Sequence, residues 1–409
     1  MDGTFCRGYN ASRMSSPLTI LSNVRLAPDR GAVDLHLSGG RIAAIQPAGA
    51  ATVEGARRID GRGLTACPGF IDLHIHGALG FDFMDASEEA FRKIGEYHAA
   101  GGTTAYLPTT ATESPEAIFA CIDAAARSRD QKIGGVEILG VHVEGPYMAP
   151  TKHGCHDPGF VRRPSREENR GYLDRAPIIK RITCAPEVPG VQDFIREMSR
   201  VGIIPSGGHS EATLDQTSEA IGNGMSMITH LYCAMSTITK AGPFRVPGML
   251  ETTLFDDRLA TELIADLKHV SRELMLLAMK AKAERTICFV TDAMRGAGMP
   301  NGTYTFGSAR GTKTVVENGV ARTVDNTGFA SSTVRMIDLV RNAVESMGLD
   351  LDAAVRRAAL IPATIAGVAD RKGSLEPGKD ADIVLLESRP RLEVRMTLSR
   401  GEILYDASR

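Results

Sequence analysis

Apolar and polar positions along this chain follow two different periods, and the period changes in blocks. From Leu18 to about Cys67 the pattern is that of short strands. Leu18-Thr-Ile-Leu-Ser-Asn-Val-Arg-Leu is extended and β-branched, and Val33-Asp-Leu-His-Leu alternates apolar with polar. Gly39-Gly-Arg-Ile-Ala-Ala-Ile reads as a turn feeding another strand. The far end repeats this style. Gly373-Ser-Leu-Glu-Pro-Gly-Lys-Asp-Ala-Asp-Ile-Val-Leu-Leu predicts a turn and a strand, and Val394 to Leu404 a hairpin around Arg400-Gly401.

The middle of the chain alternates short apolar runs with helical stretches. Eight strands are predicted: Phe70–His76, Thr104–Pro108, Glu137–Glu144, Arg181–Pro186, Ile203–His209, Met227–Leu231, Thr261–Ala265 and Thr286–Asp292. Helical segments lie between several of them, for example Ser87–Ala100, Pro115–Ser128 and Val191–Val201. After Asp292 comes a long insertion with turn signals at Met299-Pro-Asn-Gly and Glu317-Asn-Gly. Two helices are predicted after it, Ser332–Met347 and Leu351–Leu360, the second stopped by Pro362. The fold class expected is α/β: a (β/α)8 TIM barrel over residues 67–372, with a small β-sandwich domain built from 17–66 and 373–409. An open doubly wound sheet is disfavoured because no GxGxxG turn follows the first barrel strand.

Composition removes several functional classes. Of 409 residues, 47 are Lys or Arg and 49 Asp or Glu, a formal charge of −2. Such a balance supplies no electrostatic case for nucleic acid or an anionic membrane as partner. The 43% hydrophobic content is that of a globular protein. No apolar run reaches the ~18 residues of a membrane span. The seven cysteines (6, 67, 121, 155, 184, 233 and 288) are odd in number, scattered and without a CxxC pair. A reducing, cytoplasmic setting is the simpler expectation. The first 16 residues carry no apolar run, so they read as a disordered lead-in and not as a secretory signal.

Chemistry gathers at the strand ends. His74 and His76 close the first barrel strand, and side chains two apart on a strand share a face. Glu144 ends the third strand, His209 the fifth, His230 lies near the end of the sixth, and Asp292 ends the eighth. Any one of these, taken alone, reads more simply as a cap or a core hydrogen-bonding group. Five strands placing six such residues at one end is a different matter, because barrel active sites lie on that face. Imidazole and carboxylate donors without sulfur suit a divalent ion, zinc above all, with iron, manganese or cobalt as alternatives. His142 points into the same barrel. His36 and His98 read as structural, Cys67, Cys184 and Cys288 as buried small apolar residues, and the charged segment Ser165–Arg170 as a solvated helix face.

Longer segments then carry a resemblance. They are Pro68-Gly-Phe-Ile-Asp-Leu-His-Ile-His-Gly, His142-Val-Glu-Gly-Pro-Tyr, Gly154-Cys-His-Asp-Pro, Gly208-His-Ser-Glu-Ala-Thr, Thr229-His-Leu-Tyr-Cys-Ala-Met and Val290-Thr-Asp-Ala. From about residue 18 onward the chain resembles the amidohydrolase superfamily and, within it, the N-acetylglucosamine-6-phosphate deacetylase family. The resemblance implies Glu144, His209 and His230 as principal metal ligands. It implies His74 and His76 as a pair that holds a second ion in some members, so one or two ions are open. It further implies Asp292 as catalytic acid/base and His156 as the contact to the acetyl carbonyl. Arg245 and His269 match positions that hold the sugar phosphate, and Cys233 and Ala234 fall on the substrate-binding segment. A homodimer whose neighbouring subunit completes the phosphate site is implied too. The expected reaction is hydrolysis of the N-acetyl group of an amino-sugar phosphate, N-acetylglucosamine 6-phosphate first.

The chain departs from the family at recognition positions. Cys233 stands where the family has Asn, Asp266-Leu-Lys-His269 replaces Asp-Gly-x-His, and Ala330-Ser-Ser-Thr replaces a Gly-Ser segment. Lys268 is expected either as a substitute phosphate contact or as a solvated surface lysine. An amidohydrolase acting on an unphosphorylated N-acyl sugar, an N-acyl amino acid or a cyclic amide is the competing reading. A non-catalytic barrel is disfavoured because neither Asp292 nor any ligand is missing.

Overall fold

The computed structural model describes residues 18–26, 31–49 and 53–409; the lead-in expected over 1–16 lies outside the described residues. Strands from both chain ends interleave in one pairing network. Its order is Glu402–Asp406, Glu393–Ser399, Ile383–Glu387, Thr65–Pro68, Thr19–Arg25, Ala32–Ser38 and Arg41–Pro47, with Arg57–Asp60 joining Thr19–Arg25 in parallel. Ile383–Glu387 runs antiparallel to Thr65–Pro68, pairing Ile383 with Pro68 and Leu386 with Thr65. This is where the two ends are stitched together, around a buried cluster of Leu21, Val24, Leu35, Leu37, Ile383 and Leu398. Thr65–Pro68 therefore carries the terminal sheet past the boundary expected at residue 66. The two-residue turn at Gly39-Gly40 has both φ angles positive, 58° and 76°, the geometry whose twist matches flanking antiparallel strands.

Eight parallel strands form the barrel. They are Phe70–Ile75, Thr103–Thr110, Val141–Glu144, Ile179–Cys184, Ile204–Gly207, Met227–Ile228, Ala260–Leu263 and Ile287–Phe289, each beside its successor. Their residues are buried almost throughout, as expected of strands covered on both faces. The chain beyond Phe289 closes the ring: His76 N–H donates to the Ala293 carbonyl at 2.8 Å, and Ile75 bridges Ala293 in parallel. The third strand, expected as one run from Glu137, is broken. Glu137–Ile138 pairs with Ala105 and Tyr106, and Gly140 (φ 150°) re-aims the chain before Val141. A Cβ at Gly140 would meet the Ile178 carbonyl at 2.9 Å, so only glycine fits that crossing.

The insertion after Asp292 forms a three-stranded antiparallel sheet, Gly302–Phe306, Thr312–Glu317 and Val320–Thr323. Two helix expectations need correction. The first helix after the insertion begins at Met336, not Ser332. Ser332 is extended against the barrel end, its N–H on the Asp292 carbonyl at 2.8 Å, and that contact outcompetes helix initiation. Pro362 does not stop a helix either. Leu351–Ala358 ends at Ala359, and Pro362 lies in the first turn of a new helix, Leu360–Ile365, where a missing N–H costs little. No helix among the described residues is long and apolar enough to cross a membrane.

Candidate metal centre and substrate cleft

The six residues expected at the strand ends meet at one end of the barrel, all buried. Their backbones explain how. His209, His230 and Asp292 adopt left-handed conformations, with φ of 50°, 31° and 48°. Non-glycine residues rarely do so, and their concentration here marks backbone held under strain at a site. The left-handed residue turns the chain sharply out of the strand at that point.

Glu144 is the hub. Its Oε1 lies 3.2 Å from both His209 Nε2 and His230 Nε2. Its Oε2 lies 3.3 Å from His74 Nε2 and 3.2 Å from His76 Nε2 and from His156 Nε2. Asp292 Oδ1 is 3.2 Å from His76 Nε2 and 3.4 Å from His74 Nε2. Each histidine pair points nitrogen at nitrogen, His209 to His230 at 3.0 Å and His74 to His76 at 3.2 Å. Two neutral acceptors facing each other repel unless a proton or cation lies between them. Two ligands at ~2.0–2.1 Å from a tetrahedral ion lie about 3.3 Å apart, so these spacings suit bound cations. The donors are also the right kind, borderline nitrogens with hard oxygens. His74, His76 and Asp292 form one candidate ligand group, and Glu144, His156 and His209 another.

Burial opposes the charge on Glu144 and Asp292, but the surrounding imidazoles outweigh it and hold both carboxyls well below the usual range. Burial also disfavours charge on His76, yet its hydrogen bonds to Asp292 and Glu144 lift it to about 9. Burial dominates at His156 and takes it down to about 4. Histidine orientation is set from behind. His209 Nδ1 donates to the Lys152 carbonyl at 2.7 Å, leaving Nε2 for the centre. His156 Nδ1 accepts the Thr112 N–H at 3.0 Å, so the neutral ring carries its proton on Nε2.

Above the centre opens a cleft of about 330 Å³ lined by Glu144, His156, His209, His230, Cys233, Ala234, His269 and Asp292. His74 and His76 lie beneath it, reached through Glu144 and Asp292. His269 is braced by Asp266 at 2.8 Å and packs at a tilt against Phe329 with ring centroids 4.4 Å apart. Burial pushes the Cys233 thiol up to about 12, so it stays neutral at ordinary pH. Lys268 is exposed and outside the cleft lining, which agrees with the surface-lysine expectation and not with a phosphate contact. Its Nζ donates to the Gly319 carbonyl at 2.7 Å and ties its loop to the insertion sheet. Arg245 is not in this cleft. It lies on an exposed hairpin, Thr239–Ala241 with Phe244–Val246, beside Phe244, which is 72% exposed.

Other expectations resolve along the way. His142 is buried in the barrel with Thr109, Thr183 and Arg181. His98 is buried against the Gly77 carbonyl, and Cys67, Cys184 and Cys288 are buried thiols. The charged helix Arg166–Leu173 is not wholly solvated: Glu168 is buried, held by Arg162 through Nε and one terminal nitrogen and by the Tyr172 hydroxyl. A buried carboxylate is tolerable there because each oxygen has a donor.

Several residues at the site escaped the sequence reading. Lys152, Tyr232, Phe329 and Ser331 line the cleft. Arg181 and Glu262 lie below it, fully buried, the guanidinium on the carboxylate. A signal existed for Glu262, the one charge in Ala260–Leu263, a placement that demands a partner; Arg181 follows Lys180 and stands out less.

The amidohydrolase family matches this chain over residues 65–404. An N-acetylgalactosamine-6-phosphate deacetylase of Escherichia coli O157:H7 is 34% identical over 392 residues, 94% of this chain and 98% of that one. The crystal structure of an N-acetylglucosamine-6-phosphate deacetylase from Pasteurella multocida superposes with a TM-score of 0.85 at 31% identity, covering 95% and 99% of the two chains. A Mycobacterium smegmatis N-acetyl-D-glucosamine-6-phosphate deacetylase mutant, solved in complex with N-acetyl-D-glucosamine-6-phosphate, superposes at 0.83 with 30% identity, covering 95% and 99%.

Proposed function

Because the chain belongs to the amidohydrolase family, and within it to the N-acetylglucosamine-6-phosphate deacetylases, we propose that it hydrolyses the N-acetyl amide of N-acetylglucosamine 6-phosphate to glucosamine 6-phosphate and acetate. The observation that carries this reading is the meeting of His74, His76, Glu144, His209, His230 and Asp292 at the floor of one cleft.

Glu144, His209 and His230 would hold one divalent ion, and His74 and His76, with Glu144 between the pairs, a second. Zinc is the ion the donor set favours. A divalent ion held there supplies Lewis acidity, which brings the pKa of water towards ~7 and polarises a carbonyl. The protein's own groups do the rest. Asp292, ionised at neutral pH, takes a proton from the attacking water and returns it to the leaving amine. His156, with its proton on Nε2, donates to the acetyl oxygen as negative charge develops there. The C–N bond breaks, acetate keeps the water oxygen, and the amine leaves with the proton.

His269, braced by Asp266, is assigned to the sugar phosphate. Arg245 is assigned to the cleft of a neighbouring subunit in a homodimer; its exposed hairpin, flanked by Ile238 and Phe244, supports that. The terminal sheet, from the N-terminal strands through Thr65–Pro68 and with 373–409, is taken as one unit and the barrel that follows as the catalytic unit. Cytoplasmic residence agrees with free thiols at every cysteine among the described residues.

A second reading is the galactosamine epimer, because the E. coli relative carrying that name matches over 98% of its length. Acetate release by metal-loaded protein separates the cases. The substrates are N-acetylglucosamine 6-phosphate, its galactosamine epimer, unphosphorylated N-acetylglucosamine and an N-acetyl amino acid. Preference for the first supports the proposal, preference for the second replaces the sugar, and activity on either of the last two alone overturns the phosphate assignment.

A further inference from the structure

One buried carboxylate outside the ligand set touches both halves of the centre. Glu262 lies on the seventh barrel strand with no exposure to solvent. Its Oε1 is clamped by the Arg181 guanidinium, itself 1% exposed. Its Oε2 lies 3.0 Å from His74 Nδ1 and accepts the backbone N–H of His230, also at 3.0 Å. Arg181 cannot accept a hydrogen bond and cannot be deprotonated, so it keeps Glu262 ionised. An ionised carboxylate only accepts; His74 must therefore carry a proton on Nδ1. The second terminal nitrogen of Arg181 contacts the His142 ring, whose other nitrogen meets the Thr183 hydroxyl at 2.7 Å, so the clamp is braced on its far side.

We propose that Glu262, held by Arg181, is a positioning residue for the centre: it fixes the Nδ1 proton and ring plane of His74 and the backbone of His230, so that His74 Nε2 faces the ion. This rests on the metal-dependent reading above. A carboxylate behind a ligating imidazole raises its basicity and fixes its orientation, and its loss typically weakens metal binding 10–100-fold. Neither Glu262 nor Arg181 touches the cleft, so their removal acts through His74 and His230.

The test uses Glu262→Gln and the double variant Glu262→Met/Arg181→Met. The double variant is decisive, because the single change leaves a buried guanidinium unpaired and can unfold the chain. Thermal unfolding of the metal-free proteins first establishes that the double variant is folded. Two readouts follow. Zinc affinity is measured by competition with a chromophoric chelator, and is expected to fall 10–100-fold. The slowly exchanging Nδ1 proton of His74, assigned by its loss in His74→Gln, is followed by NMR with and without zinc. It is expected in the wild type and absent from the double variant. A folded double variant with wild-type zinc affinity and an intact Nδ1 proton overturns the proposal. Absence of that proton from the wild type overturns it too. A wild type that shows the proton but binds no zinc sinks the metal-dependent reading instead, and the two failures are told apart.

Discussion

Asp292 donates its backbone N–H to the carbonyl of His74 at 2.8 Å, while its carboxylate Oδ1 lies 3.4 Å from the same residue's Nε2. The last barrel strand thus closes on the first at the residues assigned to proton transfer and metal ligation. The seam that completes the fold also sets the distance between the two.

Asp292→Asn tests that assignment. The backbone bond to His74 survives the change, so the barrel is expected to close and zinc content to stay near that of the wild type. Turnover is expected to fall about 10²- to 10⁴-fold, the range for a lost general acid/base. Near-wild-type turnover with confirmed metal would sink the role.

Removing the metal is expected to destabilise the protein. Five imidazoles and two carboxylates then confront one another in a buried space. Zinc added back to chelator-treated protein stabilises it by linkage, about 2.7 kcal/mol at 100 times the Kd. The unfolding midpoint should rise with zinc concentration. A midpoint indifferent to zinc would speak against any ion at this centre.

His98 makes a pH-dependent contribution away from the cleft. Burial takes its pKa down to about 3 from the ordinary 6.5, against a weaker pull from the Gly77 carbonyl. The folded protein resists protonating this ring, whereas the unfolded chain does not. Its contribution is therefore present above pH 6.5 and is lost as pH falls from there towards 3. The full loss is about 4–5 kcal/mol at 1.36 kcal/mol per unit. In His98→Gln, denaturant-derived stability should fall less steeply below pH 6.5 than in the wild type. Parallel curves for the two proteins would refute the linkage.

Arg245→Ala tests the proposal that a neighbouring subunit completes the phosphate site. The loss of a charge-assisted hydrogen bond costs roughly 1.5–3 kcal/mol. KM for the phosphorylated sugar is expected to rise about 10- to 100-fold, with kcat little changed and any activity on the unphosphorylated sugar unaffected. Mixed dimers of Arg245→Ala and Asp292→Asn subunits should recover part of the activity. A wild-type KM in the single variant would remove Arg245 from the site.

Much of the fold was legible because its signals are local. Each barrel strand is a short apolar run bounded by turn residues, and the candidate ligands sit at run ends where periodicity places them. The hairpins at Gly39-Gly40, Asn318-Gly319 and Arg400-Gly401 announce themselves in two residues apiece. The reading failed where local preference met a tertiary competitor. Ser332 suits a helix start but is bound to the barrel end, and Pro362 reads as a stop but begins a new helix. Lys268 is the exposed lysine that one of its two readings allowed, and only the structure shows its bond to the Gly319 carbonyl.

The sequence by itself determined the eight strands, the end of the barrel that carries chemistry, and the residue types offered there. Only the tertiary structure decided their partners. His74 and Glu262 are 188 residues apart, and Arg181 and Glu262 are 81 apart. Nothing in a local window pairs a guanidinium with a carboxylate across that distance. Barrel closure does, because two charges excluded from water must find each other or pay the full cost of desolvation.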